Sequence, residues 1–272
     1  MKISLINFTS LSGKNAKRFF RPDYPSYYWL NALRRVYFVN KSQAVLPKLL
    51  TLQKNMIMEQ LFVKKIKTTR PVNLSKAEHL LEQKSIIHSI NNLNWDDFQY
   101  RPKVEFRIAH VKDEIWLKYY VNEKHILARE TKINGDVYKD SCVEFFISPG
   151  EQNYYNFEIN CIGTIHLAYG PGRHDRKFVD PSIIRKIKTK STLGNQPFEE
   201  KTGDFEWEMM IRIPIESFAY SRLKTFSGLK ARGNLYKCGD DTSEPHYITW
   251  KPVKTENPDY HRPEFFGNIY FE

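Results

Sequence analysis

Hydrophobic and polar positions alternate along most of the chain from residue 103 onward, the period of β-strands with two unlike faces. The clearest case is residues 138–163, YKDSCVEFFISPGEQNYYNFEINCIG, where Val143, Phe145 and Ile147 share one face of a first strand. After the SPGEQ turn, Tyr155, Phe157, Ile159 and Cys161 share one face of a second strand, and Tyr154, Asn156, Glu158 and Asn160 share the other. Two readings of that polar row stay open: an ordinary solvated face of an antiparallel sheet, or a row of hydroxyl readers beside aromatic rings, the chemistry a sugar ring asks for.

The same period recurs in KVEFRIAH (103–110), DEIWLKYYV (113–121), GTIHLAYG (163–170), IIRKIKTK (183–190) and DFEWEMMIRIP (204–214), and strands are expected again at 226–238, 246–250 and 265–271. Their spacing predicts an antiparallel sandwich or barrel. Before them, LFVKKIKTTR reads as an edge strand blunted by lysines. Ser75 followed by Glu78 has the form of a capping box opening a short helix through Leu80, Leu81 and Ile86.

Charge divides the chain. Its formal charge is +11, but residues 1–55 hold ten cations and one anion, or +9, so the remainder is only +2. That first stretch lacks a helix or strand period. A basic arm, a small helical appendage and translation from upstream of the true start are the alternatives, and Met56 and Met58 at the change of composition favour the third. The expected organisation is a basic extension over 1–55 and a β-domain over 56–272. A nucleic-acid partner has support only in the Arg-aromatic mixture of the extension. Cys142, Cys161 and Cys238 form no C-x-x-C pair and are expected to be buried thiols. No apolar run is long enough to cross a bilayer and no cleavable leader is evident, so the expected location is cytoplasmic.

Residues 95–272 resemble a family 9 carbohydrate-binding module of the divergent family 9-like branch. The resemblance rests on Trp95, FRIAHVKDEIWLKYYV, YKDSCVEFF, YYNFEINCIGT, FEWEMMIRIPIESF, NLYKCGD and HRPEFFGNIYFE, in that order. It implies an all-β fold, a two-sheet antiparallel β-sandwich of jelly-roll type with short helical turns, that binds a mono- or oligosaccharide without cleaving it. It also implies a glycoside hydrolase as companion and a place in carbohydrate catabolism. In the family the ligand lies between two tryptophans, whose positions fall on Tyr138 and Tyr260 here. An arginine usually stands where this chain has Glu158, while Asn160 and Asn234 keep amide character. Arg173, with His174 and Arg176, forms a basic loop, read either as a solvated loop or as a contact for an acidic sugar. Structural calcium is the cofactor the resemblance implies, with Asp240, Asp241 and Glu244 as its candidate ligands.

Two rival functions remain. A sandwich that has kept the fold and lost the sugar would serve as an accessory or protein-interaction domain. A glycosidase would need two facing carboxylates; Glu144, Glu158, Glu206, Glu208 and Glu264 qualify by type, and spacing alone brings no two of them together. The histidines show no zinc spacing.

Overall fold

The computed structural model describes residues 60–68, 72–150 and 152–272. The readings of residues 1–55 lie outside them. In chain order the described elements begin with β1 (Gln60–Lys65), α1 (Leu74–Lys84), β2 (Ile87–Ile90), β3 (Asn92–Leu93), β4 (Lys103–His110), β5 (Glu114–Ala128), β6 (Cys142–Ser148) and β7 (Tyr154–Asn160). They continue through β8 (Ile165–Gly170), β9 (Lys177–Phe178), α2 (Pro181–Ile184), β10 (Lys188–Ser191), β11 (Phe198–Pro214), β12 (Lys230–Cys238), β13 (Tyr247–Thr249) and β14 (Gly267–Phe271).

The strands form one strongly curled mixed sheet, a half-barrel, ordered β10-β11-β5-β4-β1-β14-β12-β6-β7-β8-β9. The departure from two separate antiparallel sheets is made by β1. Its first half pairs in parallel with β14, Leu61 opposite Ile269, and its second half pairs in parallel with β4, Lys64 opposite Ala109. LFVKKIKTTR therefore contains no edge strand but the seam of the sheet, and its lysines face outward. Small additions hang from the path: β2 on β4, and β13 with β3 on β12.

Alternation sets the core. Val104, Phe106 and Ile108 of β4, Leu117, Tyr119 and Val121 of β5, Val143, Phe145 and Ile147 of β6, and Tyr155, Phe157 and Ile159 of β7 point into the hollow of the sheet and are buried together. The stretch 183–190, read as one strand, starts as the helical turn α2. Asp180 caps that turn by accepting from the Ser182 amide, and Pro181 supplies its first residue.

Helix α1 covers the outer face of β5 and β11 through Ala77 and Leu81, which bury beside Trp116 and Met210. Its cap is Asn73, whose side chain accepts from the Lys76 amide at 2.8 Å, and Ser75 lies inside the helix. Glu78 makes no capping box because its carboxylate is taken by Lys118 at 2.8 Å and Lys190 at 2.9 Å. Lys118, only 2 % exposed, also meets Glu82 at 2.5 Å and Glu208 at 2.7 Å. Burial alone would lower the ammonium's pKa; the bonds to Glu208, Glu78 and Glu82 reverse this and raise it above the ordinary lysine value. The three carboxylates converge only because this cation stands between them.

Replacing Lys118 by Met should therefore destabilise the fold by about 3 kcal/mol at pH 7, the low end for breaking a buried pair because Glu82 and Glu208 are partly solvated. Glu78 is held below its usual carboxylate value: burial would raise it, and the lysine bonds outweigh that. Its contribution is thus present above the unfolded carboxylate range and lost on acidification. Urea titrations of both proteins should show the gap between them persisting down to the ordinary carboxylate value of 4.5 and closing as pH falls below it.

Candidate functional site

The polar row of β7 does not face solvent. Tyr154, Asn156, Glu158 and Asn160 are 0, 1, 4 and 0 % exposed, so the expectation of a wet outer face is corrected. A second aromatic cluster lies over this side of β6, β7 and β12, built from Trp95, Val137, Phe146, Tyr154, Tyr236, Tyr260 and Phe266, with Tyr138, Tyr247 and Phe98 packed against its edge. Segments remote in sequence have closed over a face that the local pattern marks only as polar.

Strand register arranges that face in rows. Tyr236, Glu144, Glu158 and His166 stand opposite one another across β12, β6, β7 and β8; Cys238, Cys142 and Asn160 form the next row, and Asn234, Phe146, Asn156 and Ala168 the row on the other side. Two carboxylates thus sit directly opposite on neighbouring strands, a placement that disfavours both being charged. Glu144 Oε1 accepts from Cys238 Sγ at 3.1 Å, and Glu158 Oε1 accepts from Asn156 Nδ2 at 2.6 Å. Among the described residues, nothing bonds the second oxygen of either. Burial first, and then the neighbouring Glu158 charge, hold the Glu144 carboxyl well above the usual carboxylate range.

Tyr138 is positioned by the 3-10 turn Val137–Lys139 just before β6. Asp140 fixes that turn: its carboxylate accepts from the amides of Arg129 and Glu130, both at 2.9 Å, and from Asn160 Nδ2 at 2.8 Å. The Tyr138 carbonyl accepts from the Asp240 amide at 3.3 Å, tying the turn to the loop after β12. The ring is left half-buried, and the charges of Glu158 and Asp240 both act on its phenol. Asp240 itself is pushed up to about 6 by burial, with Asp241 and Glu158 adding to the shift and a bond from the half-buried Tyr247 opposing it.

The far side is closed by Arg176, His261 and Tyr154. Arg176 donates to the Tyr154 hydroxyl and the Gly172 carbonyl, both at 2.9 Å, and to Asn156 Oδ1. It lies 2.9 Å from His261 Nδ1, and burial together with this guanidinium pushes His261 down to about 2. Arg173 is exposed and held by Asp259 at 2.8 Å, near enough for its charge to act on Glu144 and Asp240.

The residues singled out from the sequence separate into two groups. Tyr138, Glu158 and Arg173 lie around the buried carboxylates, and Glu144 and Asp240, first considered for other chemistry, lie with them. Tyr260 does not face Tyr138 across an open slot: it is 7 % exposed, its ring stacks on Tyr236 at 4.0 Å, and its hydroxyl donates to the Lys237 carbonyl at 3.0 Å. Asn160 spends both amide hydrogens on the Glu130 carbonyl and Asp140, and its oxygen takes the Thr164 amide. Asn234 clamps Lys251 from both ends of its amide, donating to the carbonyl at 3.0 Å and accepting from the amide at 2.8 Å. Both amides are structural.

The calcium candidates do not fit an ion. Glu244 turns to His125 at 3.2 Å and Asp240 to Tyr247, and the three carboxylates do not converge. Sequence reasoning placed Tyr154 and Asn156 in the polar row without singling them out, and overlooked Tyr247 and His261. The alternation of YYNFEINC placed the first two beside Glu158, whereas no local pattern brings the last two to the same place.

A family model described as carbohydrate-binding family 9 matches residues 75–271. Among solved structures, a candidate carbohydrate-binding protein from Bacteroides uniformis ATCC 8492 is 38 % identical, the match covering 78 % of this chain and 99 % of that one with a TM-score of 0.76. A family 9 module from Caldicellulosiruptor kristjanssonii, solved with glucose and with cellotriose, matches at 12 % identity over 78 % of this chain and 95 % or 93 % of that one, with TM-scores of 0.48 and 0.49. A search of curated proteins finds no significant match. With most of its length inside the family match and a well-superposed relative at this identity, the chain belongs to carbohydrate-binding family 9.

Proposed function

We propose that this family 9 module holds a mono- or oligosaccharide, without cleaving it, over the Glu144–Glu158 pair, with the half-buried ring of Tyr138 as the stacking surface. Asp240 and Arg173 bond hydroxyls at the rim. The observation that carries the reading is the pair of buried carboxylates that each keep one oxygen free of protein partners beside an accessible aromatic ring. Neither free oxygen is among the fully buried atoms that lack a partner, so both stay open to a donor from outside, and sugar hydroxyls supply one while the C–H face of the ring packs on the phenol. Cleavage would require an acid and a nucleophile on two sides of the glycosidic bond. Glu144 and Glu158 instead stand side by side in one row of one sheet face, which suits holding a ring and not breaking it.

The proposal is tested by calorimetry with a panel of mono- and disaccharides. A disaccharide of roughly 23 heavy atoms at about 0.3 kcal/mol per atom gains about 7 kcal/mol, so affinities in the micromolar to millimolar range are expected. Tyr138→Ala should weaken binding about tenfold, the loss of one stacking surface. A panel with no sugar bound at 10 mM, or full affinity in Tyr138→Ala, would overturn the reading.

Asn160→Ala should behave differently, costing about 2 to 3 kcal/mol of stability through lost hydrogen bonds to the Tyr138 turn. Thermal melts would show that loss in the absence of any sugar.

Asp240 predicts a pH signature. Its folded pKa of about 6 lies above its ordinary 3.8, so its charged form is disfavoured in the folded chain; stability from this group is full below pH 4 and is lost as pH rises through 6. Asp240→Asn should raise the melting temperature at pH 7.5 and leave it nearly unchanged at pH 4.5. An equal shift at both values would show that desolvation of the charge is not the cause.

A further inference from the structure

The charge around the Glu144–Glu158 pair sets which sugar the module should prefer. Three carboxylates, Glu144, Glu158 and Asp240, meet there with no ion-pair partner among the described residues. The nearby cations are already engaged. Arg173 is paired with Asp259 and Lys139 with Asp136, while Arg176 donates from its two Nη groups to Asn156, Tyr154 and the Gly172 carbonyl and keeps a buried Nε without a partner. The surroundings of the pair are thus acidic in a chain whose formal charge is +11.

The amides on this face, Asn160 and Asn234, are committed to the fold. Beside them stand two opposed acids whose mutual repulsion across the sheet keeps both from carrying charge at once, a cost borne as long as no cation lies between them. A protonated amine removes that cost. It brings a full positive charge and three donors to a point between the two free oxygens, and charge-assisted bonds to carboxylates are about twice as strong as neutral ones.

We propose that the site prefers sugars carrying a free, protonated amino group, with Glu144 and Glu158 as the residues that determine this specificity. The inference rests on the carbohydrate-binding reading above. It is tested with glucosamine, glucose and N-acetylglucosamine on the full chain at pH 7 by calorimetry, with Glu158→Gln as the isosteric variant. Glucosamine is expected to bind at least tenfold more tightly than glucose or its N-acetyl derivative, in which the charge is gone. In Glu158→Gln that ratio should fall to within about threefold, while the melting temperature stays level or rises because a repulsive pair has been removed, which separates a lost preference from a lost fold. Equal affinity for glucosamine and glucose, or an unchanged ratio in a folded Glu158→Gln, overturns the preference and leaves sugar binding standing. Absence of binding by all three sugars and by the wider panel overturns both.

Discussion

Polar groups taken out of water must find partners, and that single requirement sorts the residues of this module. The sheet formed by β12, β6 and β7 is buried on both sides: an apolar face fills the hollow of the half-barrel, and a hydrogen-bonding face lies under the cover of Trp95, Tyr260, His261 and Phe266. On the second face nearly every side chain has its bonds assigned. Asn160 holds the turn that carries Tyr138, Asn234 holds the strand end at Lys251, and Arg176 bolts Asn156 to Tyr154. Glu144 and Glu158 alone in the central row keep acceptor capacity in reserve, and the proposed sugar site is placed on that remainder.

The cover also accounts for the electrostatics. Removing Glu144 and Asp240 from water raises both carboxyls, while removing His261 from water beside Arg176 suppresses its protonation. These shifts share one origin, desolvation, with neighbouring charges adjusting the size. The same face therefore carries neutral histidine and reluctant acids within a few side chains of one another. Elsewhere the chain solves the burial of charge by pairing, as with Lys118 among its glutamates and with Lys237 on Glu123, both fully buried, at 2.7 Å.

Much of the sheet was legible because its signal is local. Period-two alternation located β4, β6, β7, β12 and the last half of β11, and it put Tyr154, Asn156, Glu158 and Asn160 on one face. What it could not carry was the identity of whatever lay above that face. Tyr260 is a hundred residues beyond β7, and nothing in its own neighbourhood distinguishes a sugar platform from a core ring stacked on Tyr236. The helix cap is Asn73 and not the expected Ser75 for a related reason: Glu78, which completed the capping-box pattern, is claimed by Lys118 from a strand 40 residues away. Asn160 and Asn234 matched a hydroxyl reader by type, and only their full set of partners reveals them as braces.

The seam strand has a mechanical consequence. Because β1 and β14 run in the same direction, with Gln60 opposite Asn268 and Val63 opposite Phe271, the two ends of the described body leave the pair at opposite extremities. Force applied between Gln60 and Glu272 slides one strand along the other and strains all the connecting bonds simultaneously, whereas an antiparallel hairpin under the same load would unzip bond by bond. The closure of the half-barrel is thereby a clamp against stretching along the chain.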